Sequence, residues 1–348
     1  VADILRAQGW EITWIGGRQG IEHTVVPAAG YTLRSLPMTG LRGKSFFARA
    51  KGLVNLLRSL AQAAILWRKL RPQVMLGMGG YASFPGAAIG LLAGTPLVIH
   101  EQNAVAGTAN RWLARWAARV ICGFDGAARQ LPGAVVLGNP VRAAIVAVGC
   151  NRANQLAQSA EGNRPTLRLV ILGGSLGSRP LNETVPEALC RLLREGYAGR
   201  LEILHQCGAQ HGGATEALYG EWLGQSVRVV PFIDNMAAVY EWCDLAICRS
   251  GALTVSELAV AGVPSILVPL PHAIDDHQTH NARDLADRGA AQLVPQKDLT
   301  PAKIVALVEA YLAHPEHLQQ MSRAALAAAR PQAAQHISAV LEEVLHDH

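Results

Sequence analysis

The chain has 348 residues, half of them apolar and only 16% charged, with 34 glycines and 18 prolines. That length exceeds the usual single-domain size, and the composition excludes a disordered or fibrous chain, so two well-cored α/β domains are expected. A formal charge of +5 suits an anionic ligand or an anionic membrane surface and is too small by itself to argue for nucleic acid. The cysteines (Cys122, Cys150, Cys190, Cys207, Cys243 and Cys248) are scattered without a CxxC pair, several within apolar runs, which predicts reduced core thiols. No apolar run in the sequence is long enough to span a bilayer.

Residues 1–9 are helical in pattern, where an α/β domain normally opens on a strand, so an N-terminal truncation is expected. Residues 11–15 read as a strand ending in Gly16-Gly17, and 31–36 as another, followed by the basic loop Arg42-Gly43-Lys44. A long helical pattern runs from 45 to 70, with Phe46, Phe47, Leu53, Leu56, Leu57, Leu60, Ala64 and Trp67 apolar among interleaved cations. Such a helix covers a sheet, or its Phe46-Phe47 start dips into the headgroups of an anionic membrane. The pairs Arg111-Trp112 and Arg115-Trp116 repeat that basic-plus-aromatic chemistry.

A strand at 74–77 runs into Met78-Gly79-Gly80-Tyr81-Ala82-Ser83, where the glycines allow a ligand close to the backbone and Ser83 is placed to cap the next helix. A strand at 96–99 ends in His100-Glu101-Gln102-Asn103, polar groups at the edge where open α/β sheets bind ligands. Strands at 119–122 and 135–137 follow, the second ending in the rigid turn Gly138-Asn139-Pro140-Val141-Arg142. Residues 144–165 then change character, with Asn151, Asn154, Ser159, Gly162, Asn163 and Pro165, and read as an inter-domain linker.

The second half restarts with a strand at 167–172, the glycine turn Gly173-Gly174-Ser175-Leu176-Gly177-Ser178 and a helix at 181–193. The turn has neither the GxGxxG spacing nor a following Gly-Lys-Ser/Thr. Further strands are expected at 201–205, 227–232, 244–248, 265–268 and 291–294, with helix beyond 300 broken at Pro315 and Pro331. The stretch CRSGALTVSELAVAG, residues 248–262, reads as a buried strand, a tight exit and a helix. Such a unit aims free N–H groups and a positive dipole end at an anion, unless it is an ordinary capped turn. Thr254, Ser256 and Glu257 fall early in that helix, where hydroxyls can meet phosphate and a carboxylate can grip sugar hydroxyls. His272, Asp275, Asp276, His277 and His280 lie close together without HExxH or facial-triad spacing, so a polar loop rather than a metal centre is expected. No GxSxG nucleophile elbow is present.

Six segments now combine: GGYASFPG at 79–86, HEQN at 100–103, GNPVR at 138–142, GGSLGS at 173–178, CRSGALTVSE at 248–257 and DDHQTHNA at 275–282. In order and spacing they resemble the MurG family, and the resemblance covers essentially the whole chain. It implies an α/β GT-B fold, two Rossmann-like doubly wound parallel-sheet domains facing a cleft. Residues 1–143 with 332–348 would form an acceptor and membrane-side domain, 144–165 the linker, and 166–331 a UDP-sugar-binding domain. It implies an inverting hexosyltransferase that moves N-acetylglucosamine from UDP-N-acetylglucosamine to the 4-hydroxyl of undecaprenyl-diphospho-N-acetylmuramoyl-pentapeptide. The setting would be peptidoglycan synthesis, hence cell-wall biogenesis, cell shape and cell division, peripheral at the cytoplasmic face of the inner membrane. No cofactor, metal or nucleic-acid partner is implied.

Residue by residue, the resemblance places Ser175 and the backbone of Ala252, Leu253 and Thr254 on the UDP phosphates, with Val255 and Ser256 completing that segment. Ile233 would meet uracil through its backbone, Glu257 the ribose hydroxyls, and Gln278 with Asn281 the N-acetylglucosamine hydroxyls. Asn103 and Arg142 would touch donor groups. Gly79, Gly80, Tyr81 and Ser83 would line the acceptor side, with His100 and Glu101 as catalytic candidates in the cleft. The family's GGTGGH-like loop, which holds the histidine proposed as base, has no counterpart in these residues, so the base stays unassigned. The alternatives are another UDP-sugar enzyme of this architecture (a 2-epimerase or a lipid glycosyltransferase), a non-catalytic UDP-sugar-binding protein, and a dinucleotide-dependent oxidoreductase. HEQN with GGYxSxPG argues against the first, and the missing GxGxxG against the last.

Overall fold

A computed structural model describes the chain except residues 18–19, 38–45, 81–82, 159–165, 272 and 348, and describes only the backbone at 46–53 and 274. The chain divides into two compact units, Val1–Pro140 with Gln332–His348, and Val141–Pro331. Every strand pairing in both is parallel, because each strand is followed by a segment that returns over the sheet before the next begins.

In the first unit, β1 (Thr13–Gly16) pairs with β2 (Thr32–Ser35). A four-stranded sheet follows in chain order: β3 (Met75–Gly77), β4 (Leu97–Glu101), β5 (Arg119–Cys122) and β6 (Ala134–Val136). Strand alternation sorts the apolar residues onto two faces. Leu97, Ile99, Val120 and Cys122 pack with Trp67, Met75 and Leu113, while Val98 and Ile121 pack with Leu5, Ile337, Leu341 and Val344. The spacing of those last three residues explains why helix Ala333–His346 lies on the back of this sheet.

The second unit holds β7 (Leu167–Leu172), β8 (Leu201–Gln206), β9 (Val227–Val230), β10 (Leu245–Cys248), β11 (Ser265–Leu267) and β12 (Ala291–Leu293). Their order across the sheet is β12-β11-β10-β7-β8-β9. The chain builds outward from β7 to β9, then crosses to the other flank of β7 and builds outward again. The strand order therefore reverses between β7 and β10, the place where doubly wound sheets open a crevice for ligands.

Two expectations change. The polar stretch read as a linker contains helix Ala143–Gln158, part of the second unit, while Ser159, Gly162, Asn163 and Pro165 lie outside the described residues. Its exposed asparagines hid an apolar face of Ile145, Val148 and Gly149 at helical spacing, and a Cβ on Gly149 would overlap the Val260 carbonyl oxygen. The second change is that β4 continues through His100 and Glu101, which are buried strand residues and not members of the loop after it.

Candidate functional site

At the switch point Leu172 of β7 is paired with Cys248 of β10, so the turns 173–178 and 249–251 leave the sheet side by side. Helix Ala252–Ala261 starts directly from Gly251 with no side-chain cap, leaving its first-turn N–H groups to whatever lies above. Its other end closes on Gly262 in the left-handed region, φ 66. The 249–251 turn is fixed from behind. The Ser250 hydroxyl donates to the Gln278 carbonyl at 2.8 Å, and Asn281 Nδ2 donates to the Ser250 carbonyl at 3.2 Å. Arg249 donates to the Val268 and Pro269 carbonyls at 3.1 Å and to Gln296 Oε1 at 2.7 Å, and burial pulls its pKa below the ordinary arginine value.

Glu257 lies five residues into this helix, about 7.5 Å along its axis from Ala252. Its Oε1 accepts from Arg142 Nη2 at 3.0 Å and its Oε2 from the Tyr240 hydroxyl at 3.1 Å. Tyr240 is buried, which drives its phenol pKa well up, so the hydroxyl stays a donor at any working pH. In the neighbouring turn, Gly174 and Gly177 adopt φ +82 and +79, and a Cβ on Gly177 would overlap the Cys207 carbonyl oxygen. Ser175 is exposed at its tip. The Gln278 side-chain carbonyl accepts from Leu270 N at 2.9 Å, which leaves the Nε2 donors as the polar end it can offer a ligand.

The second unit thus gathers Arg142 and Glu257 by direct contact, and Ser175 and Ala252–Thr254 by the adjacency of their turns. Ile233 follows β9 at the same C-terminal edge of the sheet and is half-buried. Two expected ligand residues are buried, and the hydroxyl of a third is bonded within its own helix. Asn281 is fully buried on the Ser250 carbonyl, Val255 is in the core, and the Ser256 hydroxyl donates to the Ala252 carbonyl at 2.9 Å. At the start of helix Ala252–Ala261 the exposed or half-exposed positions are Leu253, Thr254, Ser256 and Glu257. Tyr240 and Gln206 were missed. Neither belongs to a recognisable motif, and only the tertiary contact resolves its role.

In the first unit, His100 is fully buried, its Nε2 2.9 Å from the Gly138 carbonyl and its Nδ1 3.2 Å from Gln102 Nε2. The carbonyl requires the proton on Nε2, and burial lowers the pKa, so the ring is neutral. Glu101 accepts from Asn103 N at 3.0 Å, Gly107 N at 2.9 Å and Asn110 Nδ2 at 2.8 Å. Both residues weighed as catalytic candidates thus brace the 102–107 and 138–140 segments. Asn103 is half-buried on that segment. Gly79 and Gly80 take φ 78 and 77, and Ser83 donates back to the Gly80 carbonyl at 2.9 Å rather than capping the helix. Tyr81 lies outside the described residues.

Among the described residues no three His, Cys, Asp or Glu side chains converge as a metal site. Burial pushes the Cys122, Cys243 and Cys248 thiols up to about 12, which keeps them protonated packing groups. On the first unit's surface, Phe84, Trp112 and Trp116 form a ladder with ring centroids 5.3 and 4.5 Å apart, and Trp112 and Trp116 are 44% and 52% exposed. The Phe46 and Phe47 side chains lie outside those described. No helix among the described residues is long and apolar enough to cross a membrane.

Two parallel-sheet Rossmann-like units, the second with paired anion-type turns at its switch point, define a glycosyltransferase of the GT-B class. The glycosyltransferase family 28 N-terminal domain matches residues 1–122, and the glycosyltransferase family 28 C-terminal domain matches 168–337. The chain belongs to this family and, within it, to the MurG transferases. It is 46% identical over 345 residues to the UDP-N-acetylglucosamine--N-acetylmuramyl-(pentapeptide) pyrophosphoryl-undecaprenol N-acetylglucosamine transferase of Ralstonia nicotianae, covering 97% of this chain and 90% of that one. The transferase of the same name from Aromatoleum aromaticum is 46% identical over 344 residues, 99% and 92% of the two chains. The crystal structure of Acinetobacter baumannii MurG superposes with a TM-score of 0.80 at 34% identity, covering 98% of this chain and 94% of that one. A UDP-N-acetylglucosamine 2-epimerase, with a TM-score of 0.65 at 13% identity over 99% and 91% of the two chains, shares the fold alone.

Proposed function

We propose that the chain is an inverting transferase that carries N-acetylglucosamine from UDP-N-acetylglucosamine to the 4-hydroxyl of undecaprenyl-diphospho-N-acetylmuramoyl-pentapeptide. The observation that carries this reading is the uncapped N-terminus of helix Ala252–Ala261 beside the 173–178 turn, with a partly exposed carboxylate anchored on the same helix. The axial distance from Ala252 to Glu257, about 7.5 Å, is of the order that separates a diphosphate from the ribose carrying it. Ser175 and the 252–254 amides take the phosphates, Glu257 the ribose, Ile233 the base and Gln278 Nε2 the sugar hydroxyls. Arg142 and Asn103 complete the donor contacts, and Gly79, Gly80, Tyr81 and Ser83 serve the acceptor diphosphate.

In the reaction the acceptor hydroxyl attacks the anomeric carbon, its proton passes to a base, and the bond to the diphosphate oxygen breaks with inversion. Negative charge grows on the departing UDP, where the helix N-terminus and Arg142 stabilise it. The exposed Trp112 and Trp116, flanked by Arg111 and Arg115, support peripheral attachment to an anionic membrane carrying the lipid acceptor.

Calorimetry tests the donor site: UDP binds, and Glu257→Ala weakens UDP without weakening inorganic diphosphate, because Arg142 is released rather than lost. No heat with UDP, or an unchanged Glu257→Ala affinity, removes the reading. Transfer of labelled sugar from UDP-N-acetylglucosamine to a lipid-diphosphate acceptor tests the reaction. For the membrane, Trp112→Ser/Trp116→Ser lowers flotation with anionic vesicles, and equal flotation of variant and parent would exclude this patch.

A further inference from the structure

Gln206 is the last residue of β8, the strand between β7 and β9. Its main-chain carbonyl accepts from Gly173 N at 3.0 Å, and the next amide, Cys207 N, donates to the Val230 carbonyl at 3.0 Å. The sheet is therefore still zipped on both sides where the strand ends. The buried side chain continues that zipping beyond the strand. Its Oε1 accepts from Gly174 N at 3.1 Å, and its Nε2 donates to the Gly174 carbonyl and to the Pro231 carbonyl, both at 3.0 Å.

A primary amide has two N–H donors, and here they go to carbonyls on two different segments. Gly174, in the left-handed region, gives its N–H to this side chain and shares its C=O between it and Gly177 N, which donates at 2.9 Å. Pro231 has no N–H, so its carbonyl is the backbone polar group that position can offer. The residue after Gly174 is Ser175, assigned to the phosphates; the residues after Pro231 are Phe232 and Ile233, assigned to the base. One side chain thus ties the phosphate turn to the base-contacting segment without being placed on the ligand itself. Asn is a methylene too short for both reaches, Leu has no polar atom, and ionised Glu has no donor.

We infer that Gln206 is a positioning residue, holding the 173–178 turn and the 231–233 segment at one fixed separation so that a nucleoside diphosphate engages both together. The inference rests on the donor-site reading above. It is tested on the full chain with Gln206→Leu and Gln206→Glu, using UDP and uridine as probes in calorimetry and amide hydrogen exchange on the free proteins. Gln206→Leu weakens UDP about tenfold, the worth of roughly one net hydrogen bond, and leaves uridine nearly unchanged because uridine engages one flank only. Exchange at 174–176 and 232–233 rises together, while the strands of the second unit keep their protection. Gln206→Glu resembles Gln206→Leu near neutral pH and recovers UDP affinity, relative to wild type at the same pH, under mildly acidic conditions. There the protonated carboxyl regains one donor.

A purely structural role predicts something else: equal losses for UDP and uridine, or faster exchange across the whole unit. Either result overturns the inference, as does unchanged UDP affinity in Gln206→Leu. Wild-type protein that fails to bind UDP would overturn the proposed function instead. The paired exchange at 174–176 and 232–233 would still decide whether Gln206 couples them.

Discussion

Ribose would arrive at a carboxylate that already accepts from Arg142 and Tyr240. Glu257 accepts from Arg142 at 3.0 Å with the two side chains 17% and 58% exposed, and Arg142 is itself assigned to the donor's charged groups. Arg142→Ala therefore acts in opposite directions on two ligands. It removes the partner that competes with ribose, a half-exposed ion pair worth about 0.5 kcal/mol after solvent screening, so uridine binding tightens about twofold. It also removes a charge-assisted contact to the diphosphate, worth about 1.5–3 kcal/mol. The net loss for UDP is about 1–2.5 kcal/mol, or roughly five- to seventyfold. Titration calorimetry with both ligands reads the two effects on one protein sample. Added salt should shrink the UDP effect and leave the uridine effect small. Uridine weakening in parallel with UDP would show that Arg142 supports the carboxylate rather than competing for it, and the reasoning would fail. Unchanged UDP affinity would remove Arg142 from the phosphates.

Tyr240→Phe keeps the buried ring and deletes only the hydroxyl on Glu257, so UDP affinity falls about fivefold, roughly 1 kcal/mol, with little loss of stability; equal affinities would mean Glu257 needs no anchor. Gly149→Ala forces a methyl against the Val260 carbonyl and costs about 1–3 kcal/mol of stability in urea unfolding, and an unshifted midpoint would contradict that close approach. His205 is buried between the Tyr219 hydroxyl at 2.9 Å and Asn182 Oδ1 at 3.1 Å, with its pKa pushed from 6.5 down to about 3. The folded ring stays neutral while the unfolded one protonates, so its contribution is complete above pH 6.5 and is lost as pH falls toward 3, by about 1.4 kcal/mol per unit. His205→Gln should flatten that acid slope; a wild-type-minus-variant stability difference that does not change with pH would refute it.

Strands such as β4, β7 and β10 were legible because each is a short apolar run closed by a glycine or polar turn, and those signals are local. The two turns of the donor site were legible for the same reason. The linker was misjudged because asparagine-rich composition outweighed the apolar spacing of Ile145, Val148 and Gly149, which makes sense only once helix Ala252–Ala261 lies against it. His100, Glu101 and Asn281 stand out in sequence because polar residues at strand ends and helix starts can face ligands or brace loops. Their bracing contacts to Gly138, Gly107 and Ser250 become visible only in the fold.

Those bracing contacts explain how the site keeps a carboxylate in place with so little ligand-facing structure. Arg142 immediately precedes helix Ala143–Gln158, Tyr240 lies on helix Met236–Trp242, and Glu257 lies on helix Ala252–Ala261. Arg152, on the first of these, donates to the Tyr240 and Cys243 carbonyls, while Gly149 of the same helix seats against Val260. The partners of Glu257 are thus registered to one another by a helix that has no assigned ligand contact. Displacing that helix by one methyl at Gly149 moves Arg142 and the anchor of Tyr240 relative to Glu257. A substitution chosen for its effect on packing should therefore also weaken UDP binding in the fraction that remains folded. A Gly149→Ala protein with lowered stability and wild-type UDP affinity would show that Glu257 is held by its own helix alone.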